Sequence, residues 1–226
     1  PGMIDAGTRL GLAEIGSIAG TRDDAEIGGV QPDLKALASV NPHSEIIPVT
    51  RANGITTVLT APHGGTIAGQ SALIRLDGWV PGDMAVKEAF ALHVNYPSLG
   101  GTDETKAEDE KKLKELRQPF EAARRYRPGD RDLKIEALLP FLRGERPVVF
   151  EANRVAELRG ALKFADEFGL KPILSGGREA WKVAPLLAEK KVPVIVGAVM
   201  EIPYDRHDPY DAVFSNRGLE FSVGPG

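Results

Sequence analysis

Pro147-Val-Val-Phe-Glu151, Leu170-Lys-Pro-Ile-Leu174 and Val192-Pro-Val-Ile-Val-Gly197 decide the fold class. Each is a short apolar run that stops at a charged or small residue. Between the first two lies Val155 to Phe168, an amphipathic stretch closed by Gly169. Between the second and third lies Glu179 to Lys190, again of helical composition. Such βαβαβ alternation with short connections implies parallel strands joined by right-handed crossovers. The strands recur roughly every 22 residues, a spacing that suits an α/β (β/α)8 TIM-type barrel. A doubly wound sheet is the alternative. No Gly-x-Gly-x-x-Gly follows the first apolar run, which weakens a dinucleotide-binding reading.

The rest of the chain extends this pattern. Asp132 to Phe141 and Thr102 to Tyr126 read as helices, the second with a solvated, mixed-charge face and Pro119 as a possible kink. Ile55-Thr-Thr-Val-Leu-Thr60 is β-branched and apolar, hence a buried strand. Ser44 to Asn53 before it reads as a helix, N-capped by Ser44 and closed at Asn53-Gly54. Ala72 to Leu76 alternates as a strand does, Met84 to His93 fits strand or helix, and Leu219 to Val223 reads as one more strand. Met3-Ile4 is read as a buried parallel strand delivering Asp5 to its C-terminal end. Leu10 to Pro32 reads as a long solvated loop made acidic by Asp23, Asp24 and Glu26, with Asp33 to Ala38 as a short helix after it.

Composition narrows the function. The chain has 226 residues, 42% hydrophobic and 27% charged, with net charge −4. That length allows one large domain with a sizeable core. No basic field draws in nucleic acid or an anionic membrane, and no apolar run reaches a membrane span. A soluble protein of the cytoplasm or periplasm is expected, with a homo-oligomer open to it. Without Cys, disulfides and thiolate metal sites are excluded. The chain starts inside an apparent strand and stops at Gly226, so truncation at both ends is expected.

The stretch Pro1-Gly-Met-Ile-Asp-Ala-Gly-Thr-Arg9 resembles the opening strand of the amidohydrolase superfamily, usually Pro-Gly-x-Ile-Asp-x-His-x-His. Arg51 to Val58 resembles the family's turn into strand two, and Glu151-Ala-Asn-Arg154 stands where strand five usually reads His-Ala-His-Arg. Ser175-Gly-Gly-Arg-Glu179 stands where strand six reads Asp-His-Gly-Thr-Glu. Val192 to Gly197 and Phe221 to Gly226 are similar to strands seven and eight. Within the superfamily, the pattern is similar to the imidazolonepropionase-related branch. The resemblance implies a single barrel domain over residues 1–226, without the family's accessory β-sandwich. It also implies hydrolysis of carbon–nitrogen bonds other than peptide bonds, cyclic amides among them.

The family's cofactor is a divalent, zinc-like metal held by four histidines and an aspartate, which acidifies a bound water. Here the four histidine positions carry Gly7, Arg9, Glu151 and Gly176. Glycine has no ligand atom and arginine is a cation, so the usual centre is not expected and no cofactor is implied by the residues themselves. Two arrangements follow. Arg9 and Glu151 pair across the mouth, the guanidinium standing where the metal would be, and the barrel binds a small-molecule ligand or partner protein without turnover. Alternatively, a displaced metal uses His63, Glu151, His207 or His93. Asp5, Asn153 and Glu179 are further mouth candidates, as are Glu14 and Asp205, though each is as readily a capping or solvated group. His63 is as readily a turn histidine. Trp79 and Trp181 are expected to pack against the barrel.

Overall fold

In a computed structural model, residues 2–98, 106–127 and 131–197 are described. The expected strand at Leu219 to Val223, with Asp205 and His207, lies outside them. The described residues build nine strands: β1 (Met3–Thr8), β2 (Ile55–Thr60), β3 (Ile67–Gln70), β4 (Ala72–Arg75), β5 (Ala85–Lys87), β6 (Leu92–Asn95), β7 (Pro147–Ala152), β8 (Lys171–Gly176) and β9 (Val194–Val196). Six helices accompany them: α1 (Ile46–Ala52), the one-turn α2 (Pro81–Met84), α3 (Lys106–Arg125), α4 (Leu133–Leu142), α5 (Val155–Phe168) and α6 (Ala184–Lys190).

The strands form two sheets, ordered β1-β2-β4-β5 and β3-β6-β7-β8-β9. The second carries the parallel succession expected from the last third of the chain: β6, β7, β8 and β9 run parallel in that order. β1 and β2 are parallel as well. Between these halves lies a hairpin that runs the other way. β4 is antiparallel to β2, and β3 is antiparallel to β6. Only Ser71 separates β3 from β4, and its N–H donates to the Ala91 carbonyl. One bent ribbon thus pairs with β2 at one end and with β6 at the other.

The (β/α)8 expectation is met in part. The architecture is mixed α/β, and among the described residues the strands do not close into a barrel. The physical reason lies in residues 61–95. The short apolar runs there are separated by Gly-rich and Asp-Gly turns, which favour a hairpin over a helical crossover.

β1 departs from expectation too. β2 is its one neighbour among the described strands, and Met3 and Ile4 are 58% and 68% exposed. An apolar run belongs to a buried strand only when both of its edges and faces are covered.

The larger core lies between the parallel strands and α3, α4 and α5. Phe120, Phe141, Phe150, Phe164 and Phe168 meet there, with Phe120 set edge-on to Phe164 at 5.2 Å between centroids. A smaller core joins Val58, Ile74, Leu76, Met84 and Ile47 to Leu10 and Leu12 of the long loop. That loop is therefore not merely solvated. Thr60 Oγ1 donates to the Leu10 carbonyl, and Gln70 Nε2 to the Pro32 carbonyl. Of the short helix expected at Asp33 to Ala38, a 3-10 turn at Ala36–Ser39 forms.

Candidate functional site

A cavity of about 530 Å³ opens where the C-terminal ends of the parallel strands meet the end of β1. Strand alternation decides which side chains reach it. His93 lies across from Val149, and Asn95 across from Glu151. Glu151 in turn lies across from Ser175, and Ser175 from Ile195. Residues in register on adjacent strands share a face, and all of these line the cavity. Ala6, Gly7, Thr8 and Arg9 at the end of β1, with Ala61, Pro62 and His63 after β2, complete the wall.

Gly7, Arg9, His63 and Glu151 are therefore brought to one cavity. Gly176 follows Ser175 and sits beside it: a Cβ placed there would be 2.6 Å from Asn153 Oδ1 and 2.8 Å from Glu151 Oε1. Gly176 also has φ +87°, a conformation that L side chains rarely adopt. Gly7 is different, because a Cβ there would meet only Ile195 Cγ2 at 3.7 Å.

The expected pairing of Arg9 with Glu151 does not form. Arg9 Nη1 donates instead to Asp24 Oδ2 at 2.8 Å. Asp24 is only 1% exposed and also receives Arg22 Nε at 3.4 Å. Burial alone would raise the Asp24 pKa, but the Arg9 hydrogen bond and the Arg22 charge outweigh it and hold the carboxyl below its usual range. The reason is local: Asp24 lies on the loop after β1 within reach of both Arg9 and Arg22, and the two guanidiniums together offset its burial. The Glu151 carboxylate has no ion-pair partner among the described residues.

The other candidates have structural tasks. Asp5 Oδ1 accepts from Gly7 N at 3.0 Å within β1, where the pairing with β2 is irregular. Glu179 Oε2 accepts from Val155 N at 2.8 Å at the start of α5, and its Oε1 accepts from Lys182 Nζ. Burial would raise its pKa; those two donors pull it below the ordinary glutamate value. Asn153 Oδ1 accepts from Arg178 N at 3.4 Å, beside the main cavity rather than in it. Glu14 Oε1 accepts from Asn41 Nδ2. The His63 backbone N–H donates to the Asp24 carbonyl, and its ring lies on the exposed rim. Trp181 Nε1 is buried without a hydrogen-bond partner among the described residues. Trp79 is 80% exposed rather than packed against the strands.

His93 is the cavity residue that sequence reasoning underused. Its Nε2 is buried with no hydrogen-bond partner among the described residues. Burial lowers its pKa to about 4, so the imidazole is neutral near pH 7. The pattern His93-x-Asn95 at strand spacing carried a signal for it. Asp24 carried none, since Asp23 and Glu26 beside it make any one acid there look solvated.

No protein-family model matches the chain, and no curated protein matches it. A solved structure does. An amidohydrolase from Thermotoga maritima MSB8 superposes with a TM-score of 0.81 at 27% identity. The match covers 91% of this chain and 59% of that one. This likeness supports the amidohydrolase superfamily. Amidohydrolases usually use a divalent metal, so its fit can be tested on the residues present. Among the described residues, no group of three or more His, Asp or Glu side chains could hold a metal ion. The described residues therefore do not fit the metal. Among them, no helix is long and apolar enough to cross a membrane.

Proposed function

We propose that this amidohydrolase-superfamily chain, similar to the imidazolonepropionase-related branch, carries a degenerate metal centre and binds a small molecule in the cavity at its strand ends. The superfamily likeness supports a hydrolase, and compounds with a non-peptide carbon–nitrogen bond, cyclic amides first, are the ligands to try. The residues favour binding without metal-assisted turnover. The observation that carries this reading is Gly176: its φ of +87° is a conformation that L side chains rarely adopt, so a ligating side chain there would be strained. Arg9 adds to it, since a cation tied to a buried carboxylate occupies a second position where the family has histidine.

The test is metal analysis of the purified protein, together with calorimetry and product detection on cyclic amides such as 2-pyrrolidinone and hydantoin. Metal-free protein that binds one of them without turnover supports the reading. Stoichiometric zinc, manganese or iron, with turnover lost on chelation, overturns the degenerate centre. Metal-free protein that binds no small molecule overturns the ligand reading.

A further inference from the structure

The cavity wall carries two charged groups of opposite sign, Arg9 and Glu151, among apolar and neutral polar residues. Arg9 supplies the positive place. Its Nη1 is engaged by Asp24, but that single bond leaves further N–H donors of the guanidinium available. Two guanidiniums share the one Asp24 carboxylate, so the cluster keeps one net positive charge. Glu151 supplies the negative place, an exposed carboxylate with no ion-pair partner among the described residues. Ala6, Ala61, Pro62, Val149 and Ile195 line the wall with them.

Two neutral polar groups stand close to Glu151. Asn95, directly across from it in register, spends its amide N–H groups on the Gly64 and Gly65 carbonyls, which leaves its amide oxygen. His93 lies two residues before Asn95 on the same face, with the orphaned Nε2 described above. Buried polar atoms in native proteins are nearly always partnered, and one left over in a cavity wall asks for a ligand or a water.

We propose that the cavity is a site for a small zwitterion, whose carboxylate lies on Arg9 and whose ammonium lies on Glu151 and Asn95, with an apolar spacer between and His93 in the adjoining wall. The proposal rests on reading this cavity as a ligand site, and it adds the ligand's charge pattern. A neutral amide needs neither charge. A simple carboxylate needs only one, and it would be repelled by Glu151. A molecule carrying both charges gains a charge-assisted hydrogen bond at each end.

The span between the two charges selects the spacer, so the probes form a ladder: glycine, β-alanine, γ-aminobutyrate and ε-aminocaproate. Binding to metal-free protein is followed by calorimetry, with acetate, the matching n-alkylamines and 2-pyrrolidinone as controls. One rung is expected to bind best, about tenfold or more tighter than either half-molecule. Glu151→Gln is expected to reduce that rung's affinity about tenfold while leaving acetate binding no weaker. The carboxylate contact is read by the alkylamine controls, which spare Arg9 and its structural bond to Asp24. The His93 ring ¹⁵N signals are expected to move when the best rung is added, and to stay still with acetate.

The proposal is overturned if acetate or an alkylamine binds as tightly as any rung, or if Glu151→Gln leaves the ladder unchanged. It is also overturned if 2-pyrrolidinone binds and no rung does, in which case the cavity remains a ligand site for neutral amides. If no probe binds at all, both this inference and the ligand reading fall.

Discussion

Two glycines stand where the family resemblance puts histidines, and they are not alike. Gly7 has an ordinary backbone, and a Cβ there would make only an ordinary contact with Ile195 at 3.7 Å, so the fold does not require glycine at that position. Gly176 has φ +87° and two oxygens within 2.8 Å of where a Cβ would sit. Gly7→Ala is expected to leave stability within about 0.5 kcal/mol, and Gly176→Ala to cost about 2 kcal/mol or more, measured by urea unfolding. Equal costs would show that Gly176 is merely a lost histidine rather than a required glycine. The same contrast governs the charges. Asp24 is buried and holds two guanidiniums, so Asp24→Asn is expected to destabilise by roughly 1–2 kcal/mol, discounted because both arginines are partly exposed. Glu151 is exposed and has no ion-pair partner among the described residues, so Glu151→Gln is expected to stay within about 0.5 kcal/mol. A cross-cavity pair of Arg9 with Glu151 would have reversed that order. The difference was not legible in sequence, because a guanidinium's choice among several carboxylates depends on which of them the loop buries.

At the scale of the element, α5 shows how a short connection aims a strand end. β7 ends at Ala152 and α5 begins at Val155, so Asn153 and Arg154 must turn the chain within two residues. Glu157 makes that turn possible. Its Oε2 accepts from Asn153 N at 2.9 Å and Arg154 N at 3.1 Å, while Oε1 accepts from Ser98 Oγ. It is one of the few buried charged residues, and backbone donors at a helix N-terminus are what it neutralises. Glu157→Ala is expected to cost about 1–2 kcal/mol by chemical denaturation, since it orphans two backbone N–H groups at once. A loss well below that would mean water replaces the carboxylate freely. This unit was readable in advance: the apolar run at Pro147, the stripe through α5 and the left-handed Gly169 all carry local signals. The hairpin of β3 to β6 was not readable to the same degree. Short apolar runs fit strand and helix equally, and their partners are chosen by packing against β2 and β7 rather than by local preference.

Over the whole molecule, the sequence pattern of βα units anticipates the parallel strands, and the Gly-rich and Asp-Gly turns of residues 61–95 favour a hairpin between them, but neither tells which strands the bent ribbon pairs with. Closure is a property of the sheet as a body, and no single residue encodes it. Acid stability is a whole-molecule property of the same kind, built from groups far apart in sequence, and here it divides into two pH windows. His93 has its pKa lowered by burial from 6.5 to about 4. Between those values the unfolded chain takes up a proton that the folded chain refuses, so stability is lost as pH falls from about 6.5 towards about 4. At pH 5 the loss amounts to roughly 2 kcal/mol. Asp24 and Glu179 are also held below their ordinary values, the first by Arg9 and Arg22 and the second by Lys182 and Val155, against the opposing push of burial. Their contributions are present above the ordinary carboxylate range and are lost only below it. Urea unfolding at pH 7, 6, 5 and 4 separates the windows. The wild-type protein is expected to weaken steadily from pH 6.5 downward. His93→Phe, which keeps a ring but cannot be protonated, is expected to stay nearly flat to pH 5 and then to fall with the carboxylates. Parallel curves for the two proteins between pH 6.5 and 5 would show that the imidazole protonates freely in the folded chain, and that the cavity wall around His93 is wetter than its burial implies.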